Sequence, residues 1–215
     1  MKINSPSLNQ SALINKTDFP TITDQRTLES IALKQIVCHN TSSIDGLIID
    51  KNYWEKVTFS NQTGEMIEIS DTIFDSCDFS NNEWYNSSFH RVIFRNCRLT
   101  GVNFAESFLN HCQFINCTMP YTSFNFSKIR FAHFEQCDLS TSEFSDLDWK
   151  KIEFNHCELE KTTWLNTNFA NLNLSSSHFE QLYFSPDKIR GLIINLDQMT
   201  NIGLALGLVL DEPLE

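Results

Sequence analysis

From Ile69 onward the chain places a large apolar residue at every fifth position. The series runs Ile69, Phe74, Phe79, Trp84, Phe89, Phe94, Leu99, Phe104, Leu109, Phe114, Met119 and Phe124. It continues through Ile129, Phe134, Leu139, Phe144, Trp149, Phe154, Leu159, Trp164, Phe169, Leu174, Phe179 and Phe184. None of these 24 positions breaks phase, and 13 of the 18 phenylalanines stand there. All four tryptophans share the register once Trp54 is counted, and none of the four tyrosines does. That difference suits a ladder too dry for a phenol without a partner. Upstream the register holds at Phe59, Trp54, Ile49 and Ile44 and misses at Gly64, where Asn61-Gln62-Thr63-Gly64 predicts a turn or small loop. Two residues before each ladder position stands a small or modestly apolar residue, such as Cys77, Ser87, Val92, Ser107, Thr122 or Ala132. Asn82 is the clearest exception, and the other three places in each five are mostly polar.

A period of five fits neither a straight helix, where each step turns about 140°, nor a flat strand, where residues five apart face opposite ways. It fits a chain that bends after every five residues in the same sense. The ladder residue and the one two before it then both point inward. Cys77, Cys97, Cys117, Cys137 and Cys157 recur every 20 residues, and so do Phe74, Phe94, Phe114, Phe134 and Phe154. Four five-residue sides therefore close one turn, and equivalent residues stack in columns.

Segments such as Cys77-Asp78-Phe79-Ser80-Asn81 and Cys97-Arg98-Leu99-Thr100-Gly101 resemble the pentapeptide-repeat family, whose pattern centres on Leu or Phe with a small residue two before. The resemblance covers residues 44–189. It implies an all-β fold, a right-handed quadrilateral parallel β-helix. Cys, Ser and Thr largely replace Ala at the small position, and Gly64 is expected to interrupt the first coil. Residues 1–43 are read as an irregular N-terminal cap. Within it, Asp24–Glu29 would either open a short helix or run as extended chain over the first coil. Residues 190–215 are read as a strand–helix–strand module: a strand over Gly191–Ile194, a helix over Gln198–Leu206 capped by Asp197, and a stop at Gly207 before Leu208-Val209-Leu210.

Composition narrows the functions. Acids outnumber bases 27 to 16, a net charge of −11, which argues against direct nucleic-acid binding. No apolar run spans a membrane, and Met1–Ser11 lacks the apolar region of a signal peptide, so the expected compartment is the cytoplasm. There the seven cysteines are expected to be reduced. In His111-Cys112 and His156-Cys157 the coil turns Cys inward and His outward, so no shared metal site is expected. Rung spacing alone would permit a disulfide in the Cys column; cytoplasmic redox poise argues against one. The outward histidines (His90, His111, His133, His156, His178) fall on different sides and levels, and neither a nucleophile elbow nor a phosphate loop is present. No catalytic residue, metal or cofactor is assigned. Outward aromatics such as Tyr121 and Phe126 are read as scattered surface residues.

Charge is uneven along the coil. Residues 69–134 hold five acids and five bases; residues 135–184 hold nine acids and three bases, a net of −6. The latter stretch, about 12 Å of axis at ~4.8 Å per coil, would carry about seven charges if it were duplex DNA. The C-terminal stretch from Gly191 to Leu210 resembles the closing module of the Qnr and MfpA branch of the family. That resemblance implies a two-fold homodimer and an acidic rod that mimics DNA toward DNA gyrase and topoisomerase IV, with protection from quinolones. Some relatives carry coil-breaking loops that touch gyrase; here only Asn61–Glu65 offers such a loop. The expected contact set is Glu135, Asp138, Glu143, Asp146, Asp148, Glu153, Glu158 and Glu160. The expected dimer contacts are Met199, Ile202, Gly203, Leu206, Leu208 and Leu210. A scaffold or adaptor that binds another protein is the alternative.

Overall fold

The computed structural model describes residues 2–20, 26–38, 43–209 and 211. Its strands are β1 (Ile14–Lys16), β2 (Thr27–Glu29), β3 (Ile31–Lys34), β4 (Ile48–Asp50), β5 (Tyr53–Glu55), β6 (Glu68–Asp75), β7 (Ser88–Arg95), β8 (Phe108–Asn110), β9 (Gln113–Ile115), β10 (Lys128–Glu135), β11 (Asp148–Asn155), β12 (Thr162–Trp164) and β13 (Leu182–Phe184). One helix, α1 (Leu196–Ala205), follows. Every strand pairing is parallel, and from Ile48↔Glu68 through Thr162↔Leu182 the partners are 20 residues apart. The chain is a right-handed quadrilateral β-helix of about eight turns, the four-sided coil that the five-residue phase requires.

The bend is made at one place in each side. The residue two after the ladder position takes a left-handed conformation at almost every corner: Ser76 (φ 57°), Asn81 (57°), Asn96 (53°), His111 (56°), Phe126 (58°), Lys161 (57°) and 21 further non-glycine residues among those described. A side chain there costs roughly 1–2 kcal/mol. Most corners offset that cost by donating their N–H to the next coil, as Asn81 does to the Thr100 carbonyl (2.9 Å) and Asn116 to Glu135 (2.9 Å). This is how a chain with six glycines makes so many turns.

Inside, rings stack coil on coil. Phe74, Phe94, Phe114, Phe134 and Phe154 form one column, with centroids 4.7–5.1 Å apart. Phe104, Phe124, Phe144 and Trp164 form a second, at 4.2–5.1 Å. The columns meet edge to face, as at Phe104–Phe114 (77°), the arrangement that ring quadrupoles favour. The small column does more than fill space. Most of its hydroxyls and thiols reach a carbonyl 23 residues earlier: Cys97 to Phe74 (3.5 Å), Ser127 to Phe104 (2.8 Å), Cys137 to Phe114 (3.3 Å) and Ser142 to Met119 (3.0 Å). Asn82 obeys the same rule with its amide, donating to Phe59 (2.8 Å) while accepting from the Gln62 N–H (2.8 Å). Alanine could make none of these bonds. All the described cysteines are free thiols, and burial pushes Cys112 up to about 12.

Four sequence expectations change. Gly64 interrupts nothing: it is buried at its ladder place, its N–H meets the Glu83 carbonyl at 3.0 Å, and Asn61 makes an ordinary corner. A Cβ at Gly64 would stand 2.4 Å from Ile44 Cγ1, so glycine lets the Ile44 side chain in, and no loop projects at Asn61–Glu65. Residues 27–34 are strands rather than a helix or irregular cap: β2 pairs with β4 and β3 with β5, so the ladder begins before residue 44; residues 21–25 lie outside the described set. The N-cap of α1 is Asn195, not Asp197, and Gln198 completes its capping box. Residues 191–194 contribute a single bridge, Asn173↔Ile193, in place of a strand.

Candidate protein-binding surfaces

The sides can be numbered in chain order by their ladder residues: first Ile69, Phe89, Leu109; second Phe74, Phe94, Phe114; third Phe79, Leu99, Met119; fourth Trp84, Phe104, Phe124. The eight acids expected as one contact set are spread over all four. Asp148 lies on the first, Glu135 and Glu153 on the second, Asp138, Glu158 and Glu160 on the third, Glu143 on the fourth, and Asp146 at the corner after it. The three on the first and second sides have cationic or imidazole partners: Arg130 holds Asp148 at 2.6 Å, and His133 lies 3.2 Å from Glu135 and 3.4 Å from Glu153. The other five gather on the third and fourth sides, where Asp138 stacks on Glu158.

The folded charge divides by side rather than by half. Assigning each corner to the side before it, the first and second sides carry eight acids and eight bases between Asp45 and Glu180. The third and fourth carry eleven acids (Asp45, Glu65, Asp78, Glu83, Glu106, Asp138, Glu143, Asp146, Glu158, Glu160 and Glu180) and two bases, Arg98 and Lys161. The 20-residue register explains the difference. It sets Arg91 on Asp71 and Arg95 on Asp75 (Nη2–Oδ2 2.6 Å). On the third side it stacks Thr58, Asp78, Arg98, Thr118, Asp138, Glu158 and His178 in one column, and on the fourth Thr63, Glu83, Asn103, Ser123, Glu143 and Thr163. Lys161–Glu160, at 3.8 Å, is the one ion pair on those two sides among the described residues. Sequence reasoning missed Asp78 and Glu83, because counting along the chain averages the sides; sorting charges by their place in the 20-residue turn would have found them.

Asp71 is the tightest electrostatic point. Its side chain is 7% exposed and accepts from Arg91 Nε (2.6 Å), from Arg91 Nη2 and from the Ser7 N–H (2.6 Å). The Arg91 hydrogen bonds hold the carboxyl below the ordinary carboxylate range. The Asn4 N–H reaches His111 Nδ1 at 3.1 Å. The N-terminal segment is thus tied along the corner between the first and second sides, which the sequence did not predict.

At the other end α1 closes the coil. Gln198 and Ile202 are buried; Gln198 Nε2 donates to the carbonyls of Leu174 (3.0 Å) and Ser177 (2.7 Å). Of the residues expected at a dimer contact, Ile202 instead faces the last coil and Gly203 is half-buried. Met199 (58% exposed), Leu206 and Leu208 are exposed beside Leu196, Leu204 and Val209. Leu210 lies outside the described residues.

Residues 87–164 match the family described as the pentapeptide repeat region. Comparison with curated protein sequences gave no match. Among solved structures the chain is similar to HetL, a pentapeptide repeat protein involved in heterocyst differentiation regulation in the cyanobacterium Nostoc. That likeness has 12% identity, covers 80% of this chain and 85% of that one, and has a TM-score of 0.44. It is also similar to full-length QnrB1, a plasmid-mediated fluoroquinolone resistance protein (19% identity, 91% and 97% covered, TM-score 0.37). A third likeness is to Rfr23 of the cyanobacterium Cyanothece (10% identity, 55% and 64% covered, TM-score 0.34). No helix among the described residues is long and apolar enough to cross a membrane. The region that matches the pentapeptide repeat family and the coils on either side of it share one ladder, one corner geometry and one 20-residue register.

Proposed function

We infer that this chain is a non-enzymatic protein-binding rod whose third and fourth sides imitate the charge of a DNA strand toward a type II topoisomerase, DNA gyrase or topoisomerase IV. One observation carries the reading: eleven acids and two bases on two adjoining sides, beside two sides whose charges cancel. Eleven acids over about seven coils, roughly 34 Å at ~4.8 Å per coil, is one per ~3 Å. Phosphates along one DNA strand recur every ~3.4 Å. The exposed apolar face of α1 and the residues after it suits the homodimer that the resemblance of the closing module implies, which would set two acidic rods end to end. Protection from quinolones belongs to this reading.

The test is a supercoiling assay with the protein titrated into gyrase and topoisomerase IV, with and without a fluoroquinolone. Inhibition at micromolar protein, or rescue from the drug, supports the mimic. Reversing Asp138, Glu143 and Glu158 to Lys should weaken either effect, whereas reversing the paired Asp148 should not. A folded protein without effect on either enzyme overturns the reading. A second reading, a scaffold that binds another protein, draws on a specific break in the acidic sides: between Glu106 and Asp138 they carry no acid, and Tyr121 (66% exposed) and Phe126 (61%) flank that band. A pull-down lost in Tyr121→Ala with Phe126→Ala, and indifferent to the acid reversals, would favour it.

A further inference from the structure

Among the described residues the ladder opens once. Between the coils that precede it, four backbone bonds cross the first and second sides: Lys128 to Ser107, His111 to Arg130, His133 to Cys112 and Asn116 to Glu135, all 2.9–3.0 Å. Between 148–155 and 168–175 none of their counterparts forms among the described residues, and β11 has no strand partner on that edge. Both ends of the gap are closed. Leu147 N–H meets Thr167 Oγ1 at 3.0 Å, and His178 N–H meets the Cys157 carbonyl at 2.8 Å. The opening is therefore confined to two sides of one level. Two adjoining cavities of about 500 and 570 Å³, which share Lys151, Ile152 and Asn171, run along it.

Trp149 marks the cause. It holds a ladder position, yet it is half-buried where Trp54, Trp84 and Trp164 are buried. Its Nε1 donates to the Asn168 carbonyl across the gap at 2.7 Å, so the indole lies where a backbone bond would have formed.

We propose that this opening is a docking site for an extended acidic peptide segment of another protein, which adds to the free edge of β11. The unpaired edge of β11 follows two sides and turns at Lys151 (φ 59°); along its contour of about 26 Å it offers main-chain donors and acceptors to a segment that turns with it, the basis of strand addition. The charge of the groove selects the occupant. Asp148 is neutralised by Arg130 and Glu153 faces His133. Lys150 and Lys151 are exposed and, among the described residues, have no carboxylate within ion-pair distance; Lys151 Nζ rests 5.5 Å from the Phe131 ring centre. With Arg130 on Asp148, Lys150 and Lys151 outnumber Glu153, the one further acid of the groove, so the groove is net positive on a molecule whose third and fourth sides are acidic. The inference stands apart from the topoisomerase reading, since it concerns the opposite sides of the rod.

The experiment uses the full chain and a fluorescein-labelled, end-capped octapeptide alternating Glu and Val. Anisotropy should rise on titration, and the tryptophan emission should shift, since Trp149 is the half-buried indole. Lys150→Glu with Lys151→Glu should weaken binding about tenfold and favour the Lys–Val peptide instead, while Lys161→Glu on the third side should leave binding unchanged. Replacing the central residues of the peptide by proline should abolish binding, because strand addition needs its N–H groups. Absence of an anisotropy change with the Glu–Val peptide, or equal binding of its proline version, would overturn the proposal.

Discussion

Two pairs of sides wrap one core and differ most in the charge they carry outside it. On the first and second, the 20-residue register stacks opposite charges, and the acids there are held by Lys51, Arg91, Arg95 and Arg130. On the third and fourth, apart from Asp78 beside Arg98, the same register stacks acids on polar residues or on each other, as in Asp138 over Glu158. A parallel ladder puts identical demands on both pairs, so the difference is not a requirement of the fold. Like charges directly opposed across a sheet are destabilising, on the order of 0.2–1 kcal/mol for a pair. Asp138 over Glu158 keeps such a cost, which makes the acidic sides the place to test for recognition.

The largest expected effect shows that the contrast stops at the surface. Phe114 lies behind the second side and Phe124 behind the fourth; both are fully buried. Truncating either to Ala should cost about 3–5 kcal/mol, and the two losses should agree within about 1 kcal/mol in chemical denaturation. A large inequality would mean that the sides also differ in packing.

The next effect should appear on the paired sides alone. Arg91→Ala leaves the nearly buried Asp71 carboxylate with the Ser7 N–H but without its cation. The cost should be about 2 kcal/mol, less than for a fully buried pair because Arg91 is 30% exposed. Its pH dependence has a definite sign. In the native chain the Asp71 pKa lies below its unfolded value of ~3.9. Its stabilisation is therefore complete above that value and is lost as pH falls through the lower folded one. In the variant that stabilisation is absent from the start, so the gap in melting temperature should be widest near neutrality and narrow below about pH 4.

The ladder, its four-sided turn and the inward Cys column could all be read from residue spacing, because burial imposes a strict period on side-chain size. Three features could not. Left-handed corners at Lys161, Phe126 or Thr141 leave no residue signature, since stacking enforces what local preference disfavours. The opening beside β11 is silent because Trp149 and Phe169 keep the phase of the ladder, and phase reports which way a side chain points, not whether neighbouring coils bond. The acids were visible, but their grouping depends on side; a count along the chain merged the paired Asp148 with the unpaired Glu143. Corners also yield a test. Asn116→Val should cost about 1 kcal/mol, since a β-branched residue suits φ > 0 poorly, whereas Asn116→Gly should change the melting temperature little.

The smallest effect is the most telling about the acidic sides. Asp138 sits between Thr118 and Glu158 in its column, and its Oδ1 accepts from Ser140 N–H (3.0 Å) and Oγ (2.6 Å). Asp138→Lys removes those two bonds, worth about 1 kcal/mol together at a half-buried turn by the ~0.5–1.5 kcal/mol typical of one bond, and turns a repulsive pair with Glu158 into an attractive one. The two changes oppose each other, so stability should move by less than about 0.5 kcal/mol. The double variant Asp138→Lys with Ser140→Ala tests the balance: with the Ser140 bonds already gone, the charge gain should show as a small rise in melting temperature over Ser140→Ala alone, and the rise should fade in high salt. If that charge reversal stabilises the rod while it weakens partner binding, the acidic side is held at the expense of stability, as expected of a binding surface. If it stabilises the rod and leaves every partner untouched, the charge serves solubility, and the contrast between the two pairs of sides says nothing about recognition.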